Sequence, residues 1–414
     1  MNVSAMKRRL FKGCAVLAML GVLGVVALLG SLWLEHRTEI TLPTPTGPFA
    51  VGRSILDWTD DAALDTLAPT PGTKRELLVW IWYPSEGPSP AKLDDYLPVQ
   101  LRPKADDAGG ANIWSLLTRD LSKAHEHSTR DADMSPQQRS YPVVIMRAGA
   151  SAEVLKYSTL AEDLASHGYV VVGFDAPYRT GRVVFPDGRV MSRTPKNNPE
   201  LCLGRGQADQ ETCVDRIITA WTSDIAFVLD RLARLNSSDS PGRFTGRLDM
   251  ARVGVFGHSL GGATAAQFCH DDSRCKAGID VDGAPHGSVV QAGIHQPFMF
   301  LLSDHSHESD PESRQIEANI QSIYDRLPPN GRLHITIRGA NHFTFSDDGA
   351  LLKSRIVRGT LRMLGRLGID GRRQLAVTAY CLRSFFDAYL KGAGVSRPKL
   401  SSPRYPEIRE LAGS

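Results

Sequence analysis

Residues 251–267 read ARVGVFGHSLGGATAAQ, and this stretch decides the fold. The apolar run VGVF at 253–256 has the length and character of a buried strand. It is followed by Gly257-His258-Ser259-Leu260-Gly261, which fits G-x-S-x-G, and then by the small-residue run GATAAQ at 262–267. The pattern predicts strand, sharp turn and helix. A serine on so tight a turn is held up as an exposed nucleophile, and small residues two before and two after let strand and helix pass without collision. The amide of Leu260, at the helix start, points toward a developing oxyanion, where one such donor is worth about 2.7–4 kcal/mol.

The same alternation of strand and helix recurs on both sides of this stretch. Strand patterns lie at 75–84, 141–146, 169–175, 277–283, 297–304 and 333–339, and helical patterns at 157–167, 214–235, 310–326, 350–367 and 373–391. Strands separated by helices imply a mostly parallel central sheet with helices on both faces. The alternation never resets, so residues 49–395 are expected to form one domain, with 396–414 as a tail. Residues 85–140 read as a surface excursion with one helical piece around 112–123, and 176–210 as a long loop.

Ahead of the domain, Lys7, Arg8, Arg9 and Lys12 form a basic segment at 1–12, and residues 13–34 carry no charge. That run is long enough to cross a hydrocarbon core of about 30 Å. It exceeds the apolar stretch of a cleaved signal peptide, so an uncleaved anchor is favoured over a secreted form, with the catalytic domain outside the cytoplasm, periplasmic or extracellular. Residues 35–48, rich in Pro and Thr, read as a stiff exposed linker. Among the 414 residues, 48 basic against 45 acidic side chains leave no footprint for nucleic acid. Of the 6 cysteines, Cys202 with Cys213 and Cys269 with Cys275 are spaced to close short disulfide loops in an oxidising compartment. No C-x-x-C is present, and neither a metal nor a cofactor is expected.

In open α/β sheets, reacting groups gather at the carboxyl ends of the strands. Ser259, Asp282, Asp304 and His342 all fall there, and the order serine, acid, histidine is that of the α/β-hydrolase fold. His342 is the expected general base toward Ser259, its tautomer fixed by an aspartate. Asp282 and Asp304 both satisfy the spacing, whereas Asp280, inside the strand rather than past its end, is expected to face away. The second oxyanion donor is expected from the turn after 141–146, at Ala150. The pairs His125 with His127 and His305 with His307 read as polar loop residues rather than metal ligands, and His286 and His295 have no strand-end position.

The stretches VWIWYPSE (79–86), YSTLAEDLASHGYVVV (157–172), GHSLGG (257–262), AGIDVDG (277–283) and ITIRGANHFTF (335–345) together resemble the platelet-activating-factor acetylhydrolase family of α/β-hydrolases, the calcium-independent group that includes the lipoprotein-associated phospholipase A2. The resemblance spans about residues 50–345. It implies Ser259 as nucleophile, Asp282 as acid, His342 as base, and the amides of Leu260 and Ala150 as oxyanion donors. It also implies hydrolysis of esters with short acyl chains, on a small molecule or a phospholipid. The family commonly has His-Gly where this chain has Ala148-Gly149, which leaves a general carboxylesterase, or a polyester, feruloyl or dienelactone hydrolase, as the alternative.

Overall fold

In a computed structural model, the apolar runs become neighbours in one ten-stranded sheet. The structure describes residues 3–87, 94–102, 119–202, 207–240, 242–305, 310–352, 355–364, 368–392 and 397–411. The main strands are β1 (Ala50–Leu64), β2 (Lys74–Ser85), β3 (Tyr141–Arg147), β4 (Val170–Asp175), β5 (Leu248–His258), β6 (Cys275–Val281), β7 (Phe298–Leu302), β8 (Arg332–Ile337) and β9 (Ile408–Glu410). Across the sheet they run β9, β8, β7, β6, β5, β3, β4, β2, β1, and Ser128–Arg130 adds the edge beyond β1. Every neighbouring pair from β4 to β8 is parallel. The pairs β2/β4, β1/β2 and β8/β9 are antiparallel.

Why these residues form a central sheet follows from β3. All seven of its residues are buried, as a strand covered on both faces requires. Side chains alternate, so Val143 and Ile145 enter one layer while Val144 and Met146 enter the other. The first layer is closed by α3 (Gln207–Ser237), α4 (Leu260–Asp271) and α5 (Pro311–Arg326), through residues such as Ile225, Ala265 and Ile323. The second is closed by α2 (Ser158–Ser166) and α6 (Gly371–Leu390), through Leu160, Leu164, Leu382 and Phe386. Gly168, at φ +88°, ends α2 as the sequence predicts.

Four expectations change. A full strand, β1, precedes the first one read from sequence; its acids and Thr obscure the pattern, and its pairing with β2 from Ala50 to Leu64 supplies the order instead. The segment 35–48 is not a free spacer: Ile40–Thr41 pairs with Ala124–His125, Leu42 is buried, and Thr46 bonds Asp163 through both its amide (2.9 Å) and its hydroxyl (2.7 Å). The 396–414 tail joins the domain as β9, with Leu400 and Tyr405 buried. The helical pattern at 350–367 is divided into Asp348–Leu351 and Arg355–Met363. The helical piece expected at 112–123 lies mostly outside the described residues, and its described end is the 3-10 turn Leu121–Lys123.

Both expected disulfides are present, Cys202–Cys213 and Cys269–Cys275, leaving Cys14 and Cys381 free. The helix α1 (Val3–Arg37) contains a stretch, Phe11–Arg37, long and apolar enough to cross a membrane by length and composition, a property signal sequences share. Its end is fastened to the domain. Arg119 donates to the Glu35 carbonyl (3.0 Å) and to the Leu351 carbonyl (3.1 Å), and the Asp120 amide donates to the His36 carbonyl (3.1 Å).

The edge strand gives a stability prediction. A chain ending at Arg397 loses the buried Leu400, Tyr405 and Ile408 and leaves the outer edge of β8 bare, its other edge still paired with β7. At about 1.5–3 kcal/mol per buried large side chain, the unfolding midpoint should drop by several degrees and the protein should self-associate through the bare edge, as read by calorimetry and light scattering.

Candidate active site

The turn after β5 has the expected strain. Ser259 sits at φ 57°, ψ −126°, a left-handed backbone that an L side chain rarely adopts, and its amide is tied to the Val281 carbonyl at 2.9 Å. The glycines around it are there for clearance. A Cβ on Gly257 would collide with the main chain of Gly261, and one on Gly262 with the Asp280 carboxyl. Asp280 therefore lies beneath the turn, where it accepts from the Gly283 amide at 2.7 Å; burial pushes its pKa well above the usual carboxylate range. Leu260 opens α4, so its amide is among those a helix cannot satisfy internally. Ala150 lies across the cavity wall from it, next to Gly149, at which a Cβ would stand only 3.2 Å from the Ser259 Cβ.

Asp282 stands one residue past β6, also in left-handed backbone (φ 56°). Its carboxylate is saturated with donors. The Ser303 amide reaches Oδ1 at 2.7 Å, the Ser303 hydroxyl reaches Oδ2 at 2.7 Å, His305 Nε2 lies 2.9 Å from Oδ1, and His342 Nδ1 lies 2.8 Å from Oδ2. Burial alone would raise the pKa of this group. The hydrogen bonds and charge of His305 and His342 outweigh it and hold Asp282 well below the usual range. An ionised acceptor requires that the facing ring nitrogens donate, which puts the His342 proton on Nδ1 and leaves Nε2 free to accept one.

Between the two acids left open by spacing, the structure separates the roles. His342 meets Asp282. Asp304 instead accepts from the Gly339 amide through Oδ2 (2.7 Å) and donates its own amide to the Ala340 carbonyl (3.3 Å), fixing the turn that carries Asn341 and His342. Asn341 in turn caps the short helix His342–Phe345 by accepting from the Phe343 amide.

Ser259, Leu260, Ala150, Asp282, Asp304 and His342 all line one cavity of about 890 Å³ at the carboxyl ends of the strands. Ser259 and His342 face the same cavity, where the histidine can reach the serine hydroxyl as the reacting groups close on an ester. Pro199 and Val214, flanking the Cys202–Cys213 bond, close one side, and Ile316 and Ile320 of α5 another.

Other histidines fall elsewhere. His286 lines the cavity with Nδ1 against the Ala284 carbonyl (2.7 Å), His127 bonds the Leu42 carbonyl (3.1 Å), and His307 lies outside the described residues. Among the described residues no cluster of three or more His, Cys, Asp or Glu side chains is placed to hold a metal.

Sequence reasoning missed three participants. Ser303 and His305 complete the Asp282 shell; the only signal was their place just past a strand end. His258, at a variable position of the serine pentapeptide, packs its ring 4.5 Å from that of His342. Burial first, and His342 second, push its pKa down to about 3, so it is neutral under working conditions.

The comparisons with known proteins fit this arrangement. Residues 35–391 match the family described as platelet-activating factor acetylhydrolase, isoform II. A probable 1-alkyl-2-acetylglycerophosphocholine esterase of Arthroderma benhamiae is 25% identical over 411 residues, covering 90% of this chain and 94% of the relative. A platelet-activating factor acetylhydrolase of Cavia porcellus is 26% identical over 384 residues, covering 87% and 82%. Among solved structures, a ferulic acid esterase from Streptomyces cinnamoneus aligns with a TM-score of 0.69 at 26% identity, over 90% of this chain and 99% of its own. With an α/β-hydrolase sheet and relatives that are esterases by name, the chain is a carboxylic ester hydrolase and belongs to the platelet-activating factor acetylhydrolase, isoform II, family.

Proposed function

We propose that the protein is a serine esterase in which Ser259 attacks the ester carbonyl, His342 removes the serine proton and returns it to the leaving alcohol, and Asp282 holds the His342 tautomer and its cationic form. The amides of Leu260 and Ala150 receive the negative charge that develops on the carbonyl oxygen. The observation that carries this reading is the 2.8 Å contact between Asp282 and His342 Nδ1, at the rim of a cavity that also holds a serine on a strained strand-to-helix turn. The family and its named relatives support a short acyl chain, with a phospholipid as the ester carrier. The apolar helix and the two disulfides support a catalytic domain held at a membrane, on the side opposite Lys7, Arg8, Arg9 and Lys12.

A second reading keeps the chemistry and changes the substrate to a general or aryl ester. The likeness to the ferulic acid esterase over 99% of that chain favours it, as does Ala148 in the turn before Ala150. Hydrolysis of p-nitrophenyl acetate, p-nitrophenyl octanoate and a 2-acetyl phospholipid by residues 40–414 separates the two. Turnover of the phospholipid with preference for acetate supports the first; ester cleavage with no phospholipid turnover supports the second.

Ser259→Ala should remove labelling by a fluorophosphonate and lower kcat by several orders of magnitude; full activity in this variant would sink the nucleophile assignment. Asp282→Asn should cost about 10⁴ in kcat by favouring the wrong His342 tautomer. Asp304→Asn still offers an acceptor to the Gly339 amide and should cost little, so the reverse ranking would move the acid to Asp304. Because His258 stays neutral in the native protein down to about pH 3, the unfolded chain alone takes up this proton once the pH drops below about 6.5. Native stability should therefore fall with pH across that window, and His258→Gln should flatten the slope measured by denaturant unfolding.

A further inference from the structure

We propose that Tyr157 and His258 are positioning residues that couple the oxyanion turn to the catalytic base through a single buried hydroxyl. The inference rests on the assignment of Ser259, His342 and the Ala150 turn made above.

The Tyr157 hydroxyl touches both sides of the site. It lies 3.3 Å from the Gly149 amide and 2.8 Å from His258 Nδ1, and Tyr157 is 2% exposed. A backbone amide can only donate, so the hydroxyl accepts from Gly149; on this proposal its one proton goes to His258 Nδ1, the other polar atom it meets. Burial raises the Tyr157 pKa far above that of a free phenol, so the proton stays on the hydroxyl. His258 is thereby held as the neutral tautomer protonated on Nε2. That buried nitrogen lies near the His342 main chain without closing a hydrogen bond to any described residue.

The His258 ring is the floor on which His342 rests. The two ring centroids are 4.5 Å apart at an interplanar angle of 40°, and Phe345 closes the other side at 5.7 Å. A base that becomes cationic during acyl transfer needs a neighbour that stays neutral, since a second imidazolium at this distance would repel it. Tyr157 enforces that state by donating to Nδ1. The same hydroxyl fixes the Gly149 amide, one residue before the Ala150 donor. Oxyanion donor and base are thus set against one reference atom, so their separation is fixed independently of either loop. A polar group whose only role was to fill the core would need one partner; this hydroxyl has one on each side of the nucleophile.

The test is Tyr157→Phe, which keeps ring and burial and removes the hydroxyl. On p-nitrophenyl acetate, kcat should fall roughly tenfold to a hundredfold, the cost of displacing reacting groups by about 1 Å, with KM within about twofold. The nitrogen-15 spectrum should show His258 changing from the Nε2-protonated form to a mixture of tautomers. Unchanged kcat with an unchanged spectrum overturns the proposal, as does a loss confined to KM.

Should that variant fold poorly by calorimetry, His258→Gln and His258→Leu decide. Gln keeps an acceptor for the Tyr157 hydroxyl and should retain at least severalfold more kcat than Leu; equal losses overturn the coupling. Ser259→Ala, run alongside, isolates the underlying assignment: activity surviving in Ser259→Ala removes the nucleophile, whereas an inert Tyr157→Phe beside a dead Ser259→Ala removes only the coupling.

Discussion

The site depends on one backbone conformation, the left-handed turn at Ser259. An L residue there costs on the order of 1–3 kcal/mol, and it persists only where the surroundings leave no alternative. Those surroundings are β5 on one side and α4 on the other, brought so close that Gly257 and Gly262 have no room for a side chain. The amide of Ser259 is pinned to β6, so the turn cannot relax by sliding along the sheet. Two more non-glycine residues with positive φ, Ser151 and Asp282, sit past the ends of the adjacent strands. Three of the strained residues thus fall at the carboxyl ends of three neighbouring strands, where the parallel register of β3, β5 and β6 aligns them.

The second constraint is the cost of burying a carboxylate. Asp282 is ionised in a fully enclosed position, which is tolerable only because each oxygen has two donors. His342 contributes one of them and Ser303 contributes two. The arrangement is reciprocal: the acid fixes the histidine, and the histidine makes the acid affordable in an apolar layer. Asp280, two residues earlier with a single amide donor, responds in the opposite direction and has its pKa raised. Two carboxyls at the end of one strand thus have their pKa values moved in opposite directions, burial prevailing at Asp280 and hydrogen-bond donors at Asp282.

How much of this was legible in the sequence depends on the range of the interactions. β3, β4, β6 and α2 could be read because burial on both faces writes a continuous apolar run and helix ends write Gly168. β1 could not, since its order comes from pairing with β2 and its own residues alternate with acids. Residues 396–414 read as a tail outside the domain because the partners of Leu400 and Tyr405 lie on β8 and α6, distant in sequence. At the site, Ser259 and His342 were legible from local pattern, and Leu260 followed from Ser259. Spacing left Asp282 and Asp304 both open, because both follow strands, and it was the family resemblance that implied Asp282; the position of the Gly339 turn is what keeps Asp304 occupied elsewhere. His258 and Tyr157 were hidden for a related reason. One sits inside a motif that fixes attention on its neighbour, and the other is 101 residues away from the ring it contacts.

The junction between α1 and the domain bears on how this enzyme would meet its substrate. Arg119 grips the last turn of the helix and the Leu351 carbonyl at once, and Asp120 adds a third tie, so the catalytic body does not swing on a flexible leash. A body so fixed presents one aspect to whatever surface the helix enters. On the proposed reading, in which that surface is a membrane carrying the ester, lateral encounter within a two-dimensional film would govern supply to the cavity, and turnover would scale with the number of esters per unit of area.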